Sequence, residues 1–590
     1  MTDFMFGVSD RAGGGGYSTA RIIADVLKGL GYYVYESRSV HSNIKGLPTS
    51  FYFRVSESQV LGLKDSLDVL FAFDAESLMD DIQMLKREGL LICDNSSFNP
   101  TPKGKPINLE DFSGFIKEKE LKVIALDMAH IARTQFKDPI VRNTMALGVA
   151  SYVFGIEKSI FYRFIEKTYG SKRNEVLIAN KSAFEIGYQK AEGSNVFRLN
   201  IEKLQDPGRL FMLGDELIGF GAIVGGCRFF AGYPITPASE VFEMMMAHLS
   251  KFGGVAVQAP SELAAAGYVI GASYAGVRAM TATSGPGFDL MQEWISSSGI
   301  SEVPLVIVLV QRSGPGTGLP TRTSQEDLEA ALYGGHGDFP RIVISPGTPE
   351  ECFYFSAEMF NLAERYQCPV ILLSEQCVGQ ARYTLDDVDI SKVRIDRGKT
   401  ILGSLAGKEY RRYQITSDGI SPRALPGLSE IAFMTNANEH NESGFADESV
   451  QERTAQMRKR MLKTKTIFKE GLLFKPEIYG DCTAKIGFIG YGGVHGPIIE
   501  AISHLAREGI TTKFMRLKTL MPLHTKDIRD FIASCSKVFF VEGNYTGQLR
   551  SLIQREVTGP KAKKLRLIRK YDGRPFRPID IVNGVKSGGE

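Results

Sequence analysis

Glu262 opens an apolar run. In VQAPSELAAAGYVIGASYAG, residues 257–276, no charge follows it until Arg278. Two chemistries are open to such an acid. Pro260 and Ser261 read as a helix start, and a carboxylate in a first turn gains about 0.3–1 kcal/mol from the helix dipole. Alternatively it points into an apolar pocket, where desolvation raises its pKa and lets it share a proton with a bound heterocycle. Arg312 closes the apolar run PLVIVLVQR, so it must leave a sheet there, and its guanidinium can clamp a carboxylate bidentately. His336, in YGGHGDFP, is flanked by glycines, where an imidazole either meets a ligand or shapes a turn. Residues 13–16 in RAGGGGYSTA either bring a backbone close to a phosphate at a helix start or make a tight turn.

The elements that must position these residues follow an α/β rhythm. In the first block, ARIIADVLKGLGYYVYES reads as helix, turn and strand, and SFYFRVS, DVLFAF and LLICD as further strands of a parallel α/β sheet. From about residue 206, the strands FFAGYPIT, VRAMTATS, PLVIVLVQR and PVILLSE alternate with helical stretches. The loops after the first three, YPITPAS, TSGPG and QRSGPGTGLPTRTS, fall where parallel sheets bind ligands, just beyond the carboxyl ends of strands, and suggest one shared pocket. Residues 386–470 break the rhythm: they read as a polar connector with one exposed helix, QERTAQMRKRMLKTKTIF. The block beginning AKIGFIGYGGVHGP restarts a smaller α/β unit.

Composition narrows the function classes. The 590 residues suffice for several domains, and 43% hydrophobic with 23% charged residues is ordinary globular usage. The 70 Lys and Arg nearly balance the 67 Asp and Glu, which argues against nucleic acid as a partner. The seven cysteines, at 93, 227, 352, 368, 377, 482 and 535, are never spaced C-x-x-C, so neither an iron-sulfur nor a zinc site is expected. With no leader-like N-terminus and no apolar stretch of about 18–20 residues, the expectation is a cytoplasmic chain away from membranes. Phosphate-loop, H-E-x-x-H and G-x-S-x-G motifs are all missing.

Three motifs together, YPITPASE, MTATSGPGFDLMQE and QRSGPGTGLPT, resemble the alpha subunit of 2-oxoacid:ferredoxin oxidoreductases. The likeness continues through GGHGDFPRIV, GISPRALPG and NEHNESG to EGNYTGQL. The first block is similar to the family's gamma subunit, with SRSVHSNIKGLPTSFYFRVS and TMALG. The whole resembles the gamma-alpha fusion found among 2-oxoglutarate-type enzymes.

That resemblance implies an α/β multidomain fold. A gamma-type domain would span 1–190, a thiamine-diphosphate-enzyme pyrimidine domain 206–385, a connector 386–470, a transketolase C-terminal-like domain 471–570 and a C-terminal arm 571–590. It implies oxidative decarboxylation of a 2-oxoacid, acyl transfer to coenzyme A and single-electron transfer to ferredoxin. Thiamine diphosphate would be shared with a separate beta subunit carrying Mg2+ and a [4Fe-4S] cluster, in a dimer of gamma-alpha/beta pairs. By the same resemblance Glu262 matches the glutamate that hydrogen-bonds the pyrimidine, with Pro234, Ile235, Thr283, Ser284, Gly285 and Gly287 around the cofactor. Thr236 and Arg312 would face the substrate, and His336, from its glycine-flanked loop, is the further candidate for substrate contact. One departure stands beside the glutamate: relatives often carry two acids where this chain has Pro260 and Ser261. Another lies in the first block, where Lys45, Gly46 and Leu47 replace an Arg-Gly-Gly pattern.

Overall fold

The computed structural model describes residues 2–40, 47–97, 109–170, 174–559 and 563–590, so Lys45 and Gly46 lie outside the described residues. The chain divides into two units, residues 1–212 with 381–387, and residues 213–380 with 388–590.

In the first unit the described strands form one sheet in the order Lys122–Leu126, Leu85–Asp94, Leu67–Ala72, Asp3–Arg11, Pro48–Ser56, Tyr33–Ser39, Arg382–Leu385 and Leu210–Leu213. The expectation of a parallel sheet needs correction. Asp3–Arg11, Leu67–Ala72, Leu85–Asp94 and Lys122–Leu126 are parallel, but Pro48–Ser56 pairs antiparallel with both Asp3–Arg11 and Tyr33–Ser39. Residues 40–47 are too few for the crossover of about a dozen residues that a parallel return requires. Helix Gly16–Gly29 buries Thr19, Ala20, Ile23, Ala24 and Leu27, a stripe at helical spacing. The TMALG motif has a packing explanation: Gly148 and Gly187 let helices Arg142–Phe154 and Asn174–Glu192 touch backbone to backbone. A Cβ at Gly148 would lie 2.0 Å from Phe184 O, and one at Gly187 1.9 Å from Met145 O.

The glycine loop before helix Gly16–Gly29 is closed by its own chain. Asp10 accepts hydrogen bonds from the backbone N–H of Gly16 and of Arg11, each at 2.8 Å, and pairs with Arg142 at 3.1 Å. The helix N–H that a phosphate would seek is already bonded to a carboxylate. Gly14 and Gly16 make room for it, since a Cβ would come within 2.3 Å and 2.7 Å of Asp10 atoms.

The second unit holds a seven-stranded sheet, in the order Thr519–Met521, Ile342–Ile344, Pro369–Glu375, Leu305–Gln311, Ala279–Thr283, Phe229–Gly232 and Val255–Gln258. Every pairing is parallel except the edge strand Thr519–Met521. Leu305–Gln311 and Pro369–Glu375 are buried along their whole length, as expected for strands covered on both faces. The same unit carries a five-stranded sheet built from Glu477–Gly480, Thr512–Arg516, Ile486–Gly490, Lys537–Glu542 and Leu565–Arg569. Residues 571–590 include helix Pro578–Lys586, whose Ile581 and Val582 are buried in the core of this sheet.

The connector helix differs from its expected exposure. Helix Val450–Glu470 buries Gln456, Lys459, Arg460, Lys463, Thr466 and Ile467, one face at helical spacing built almost wholly of polar residues. Their heads are paired: Lys459 and Lys463 reach Glu302 at 2.7 and 2.6 Å, and Arg460 grips Glu439 at 2.9 and 2.7 Å. A hydrophobic stripe would have marked this face in the sequence; a stripe of paired cations does not.

Candidate active site

Four neighbouring strands of the seven-stranded sheet deliver the site residues from their carboxyl ends. Val255–Gln258 leads through Ala259 and Pro260 to helix Glu262–Tyr274, whose N-cap Ser261 accepts a hydrogen bond from Ala264 N–H at 3.2 Å. This cap places Glu262 in the first turn. Phe229–Gly232 runs into the loop of Pro234, Ile235 and Thr236; Ala279–Thr283 runs into Ser284 and helix Gly285–Leu290; Leu305–Gln311 ends at Arg312.

These residues meet. Gly287 lies against Glu262 and Thr283, where a Cβ would stand 2.2 Å from Thr283 Oγ1 and 2.6 Å from Glu262 Oε1. Arg312 donates through Nη1 to Thr236 O at 2.7 Å, tying two strand ends together. Burial lowers the pKa of Arg312, while the charges of Asp327 and Glu262 act to raise it. The guanidinium is thus coupled to both carboxylates, but forms an ion pair with neither.

Unsatisfied polar atoms mark this cluster as a place for a ligand. Glu262 is 6% exposed, and its carboxylate makes no hydrogen bond or ion pair with the described residues. Ser284 Oγ and Arg312 Nε are buried and likewise have no hydrogen-bond partner among the described residues. Buried polar groups are almost always bonded, and leaving one unmet costs about 1–3 kcal/mol, so a concentration of orphans at converging strand ends calls for an external partner. The donor set suits a heterocycle: Glu262, packed on Gly287, offers an unmet carboxylate acceptor to a ring nitrogen, with the orphan Ser284 Oγ and Arg312 Nε on neighbouring strand ends.

The site places most of the sequence-derived residues together, with two exceptions. His336 is exposed, its backbone N–H donating to Ser296 Oγ at 2.5 Å, and none of its hydrogen bonds or ion pairs reaches Glu262, Thr236 or Arg312. Pro234 is exposed at the end of its loop.

Sequence reasoning missed Asp327 and Gln325. The Asp327 carboxyl packs on Gly285, where a Cβ would stand 2.9 Å from both its oxygens, and its backbone N–H donates to Gln311 Oε1 at 3.2 Å. Burial, then the charges of Asp289 and Glu326, push its pKa up to about 7 against the pull of Arg312. Gln325 anchors the loop: its Nε2 donates to Glu375 Oε1 at 3.0 Å and to Tyr491 O at 2.9 Å, and its Oε1 accepts from Gly543 N–H at 2.9 Å. The polar run TSQED beyond a ligand-side loop was the one available signal.

Known proteins match this arrangement along its whole length. Family models described as "Pyruvate ferredoxin/flavodoxin oxidoreductase", "Pyruvate flavodoxin/ferredoxin oxidoreductase, thiamine diP-bdg" and "Pyruvate:ferredoxin oxidoreductase core domain II" match residues 8–190, 220–459 and 484–581. The alpha subunit of 2-oxoacid:ferredoxin oxidoreductase 2 from Aeropyrum pernix is 32% identical, over 99% of this chain and 98% of its own. The 2-oxoglutarate synthase subunit KorA of Methanothermobacter thermautotrophicus is 36% identical over 64% of this chain and 97% of its own. The structure of 2-oxoglutarate:ferredoxin oxidoreductase from Magnetococcus marinus, with 2-oxoglutarate, coenzyme A and succinyl-CoA bound, superposes with a TM-score of 0.90. It is 33% identical, over 100% of this chain and 99% of that one. The fold and site therefore define a multidomain α/β oxidoreductase subunit with a thiamine-diphosphate-binding domain. The chain belongs to the family of 2-oxoacid:ferredoxin oxidoreductase alpha subunits.

Proposed function

We propose that this chain is the fused gamma-alpha subunit of a 2-oxoglutarate:ferredoxin oxidoreductase. With coenzyme A as acyl acceptor and ferredoxin as electron acceptor, it would convert a 2-oxoacid to acyl-CoA and CO2, or run the reverse. The observation that carries the reading is Glu262: a buried carboxylate without a protein partner, set against Gly287 at converging strand ends. The KorA relatives and the Magnetococcus marinus structure support 2-oxoglutarate as substrate.

Thiamine diphosphate, when bound, supplies the nucleophilic carbon and the electron sink that decarboxylation of a 2-oxoacid needs. Glu262 would hold a proton between its carboxylate and a ring nitrogen of the pyrimidine, a bond strengthened by the low local dielectric. Ile235, Thr283, Ser284, Gly285 and Gly287 would line that half of the cofactor. Arg312, steadied by Thr236, would bind a substrate carboxylate and counter developing negative charge. The diphosphate, Mg2+ and a [4Fe-4S] cluster are assigned to a separate beta subunit, in a dimer of gamma-alpha/beta pairs. A cytoplasmic setting accords with this chemistry, and no helix among the described residues is long and apolar enough to cross a membrane.

The test uses the chain assembled with its beta partner. Ferredoxin reduction with coenzyme A should be faster with 2-oxoglutarate than with pyruvate or a branched-chain 2-oxoacid. Glu262→Gln should lower kcat by about 10²–10⁴-fold, the span of a lost general acid-base step. A preference for pyruvate would overturn the substrate assignment, and unaltered turnover in the Gln variant would mean a noncatalytic or differently built site.

A further inference from the structure

Arg312, whose Nε is buried with no hydrogen-bond partner among the described residues, feels the charge of two carboxylates, Glu262 and Asp327, and only the first has a role in the chemistry above. The Asp327 backbone is tied to the neighbouring Gln311 side chain at 3.2 Å. Asp327 reaches the site from the far end of the loop that begins at Arg312, and the Gln325 bonds to Glu375, Tyr491 and Gly543 fix that loop two residues before it. Its side chain lies on Gly285, in the wall of the proposed cofactor pocket, and its Oδ2 is buried with no hydrogen-bond partner among the described residues. The charged groups coupled to it come from every side: Asp289 on helix Gly285–Leu290, Glu326 beside it, and Arg312. The Tyr491 phenol also faces it, pushed up by burial and by Glu375, Glu542 and Asp327. Two acids and one base leave Asp327 an expensive place for a second negative charge.

We propose that Asp327 sets how strongly Arg312 holds a substrate carboxylate: as the neutral acid it leaves the guanidinium free, and as the anion it competes for the same positive charge. Asp327 is thus a positioning residue, acting on substrate through Arg312. The inference rests on the reading of Arg312 as the substrate-binding arginine. Its consequence is linkage. A bound carboxylate adds negative charge and occupies Arg312, so Asp327 takes up a proton, and affinity weakens as pH rises through neutrality, by up to about tenfold per pH unit. The raised pKa near 7 places this window within reach of ordinary buffers.

The experiment is calorimetric titration of 2-oxoglutarate into the assembled, thiamine-diphosphate-loaded complex carrying Glu262→Gln to suppress turnover. It is repeated from pH 6 to 9 in buffers of different ionisation enthalpy, so that protons taken up per ligand are counted directly. Uptake of a fraction of a proton near and above pH 7 is expected. Adding Asp327→Asn should abolish it and flatten the pH dependence, whereas Asp327→Glu, which keeps an ionisable carboxyl, should retain it. Unchanged uptake with Asn would overturn the role of Asp327 while leaving the functional reading standing. Failure of 2-oxoglutarate to bind at any pH would overturn both.

Discussion

Gly287 is the tightest point of the site, and it offers a residue-scale test that separates site from fold. A methyl there would meet Thr283 Oγ1 and the Glu262 carboxylate, both ends of side chains, before any backbone. Moving Glu262 relieves only the second contact and costs the site its acceptor; Thr283, fully buried at its strand end, meets the methyl first, at 2.2 Å, and must give way as well. Gly287→Ala should therefore weaken thiamine diphosphate binding at least tenfold and lower the unfolding midpoint, whereas Glu262→Gln, which adds no volume, should weaken binding with a near-wild-type midpoint. Trp294, the sole tryptophan, packs on Gly267 of the helix that Glu262 begins, so its fluorescence is a built-in reporter of that binding. An unaltered titration curve would show that the pocket lies elsewhere. At this scale Arg312 was legible because it closes an apolar strand ahead of a Gly-rich loop, and Glu262 because it opens a charge-free apolar run at a helix start. Thr236 came only from the resemblance of its motif. Asp327 was hidden because its meaning comes from Gly285 and Asp289, which another strand delivers. His336 shows the converse: glycine flanks alone do not bring a side chain into a site.

At the scale of elements, the connector helix Val450–Glu470 is the case where periodicity was present but unreadable. Its buried face is polar, and what holds it is Glu302, fully buried between Lys459 and Lys463. Burial opposes the ionised carboxyl, yet the charges of Lys459, Lys463 and Arg412 outweigh it and hold Glu302 below the ordinary carboxylate range. Removing one partner from such a network leaves buried charge uncompensated, at a cost of about 3–5 kcal/mol. Glu302→Gln should accordingly shift urea unfolding of the second unit to lower concentration. Adding Lys459→Met and Lys463→Met should restore much of the loss, because apolar replacement of a whole buried network is often neutral. If the triple variant were less stable than the single one, the ammonium groups would be held by their bonds to Ser421 Oγ and Gln367 O rather than by Glu302. The strands, by contrast, were legible wherever burial on both faces made continuous apolar runs. Val255–Gln258 escaped notice because it is a short edge strand, largely open to solvent.

At the scale of the whole molecule, composition and strand-helix alternation disclosed a multidomain α/β chain, and no local pattern disclosed that the first unit is completed from far along the sequence. Residues 381–387 return to it after 168 residues, 213–380, spent in the second unit. Arg382–Leu385 pairs antiparallel with Tyr33–Ser39, setting Arg382 opposite Glu36 and Tyr383 opposite Tyr35, whose rings meet at 5.3 Å. Glu36 is fully buried, so Arg382 at 3.7 Å and Arg21 at 3.9 Å compensate a charge that water cannot reach. A chain severed between helix Glu192 and strand Leu210 should consequently behave as one particle. Co-expressed as 1–205 and 206–590, the pieces should co-elute on size exclusion, held by Arg382–Leu385, which with Leu210–Leu213 the second piece contributes to the first unit's sheet. Expressed alone, 206–590 would present Arg382–Leu385 without its Tyr33–Ser39 partner and with Ala381 and Tyr383 uncovered, and should aggregate. Tyr383→Asp places a second carboxylate in the apolar cluster of Tyr35 and Val60, and should make the co-expressed pieces separate. Stable, monodisperse 206–590 on its own would show that the returning strand is an ornament of the first unit rather than part of its structure.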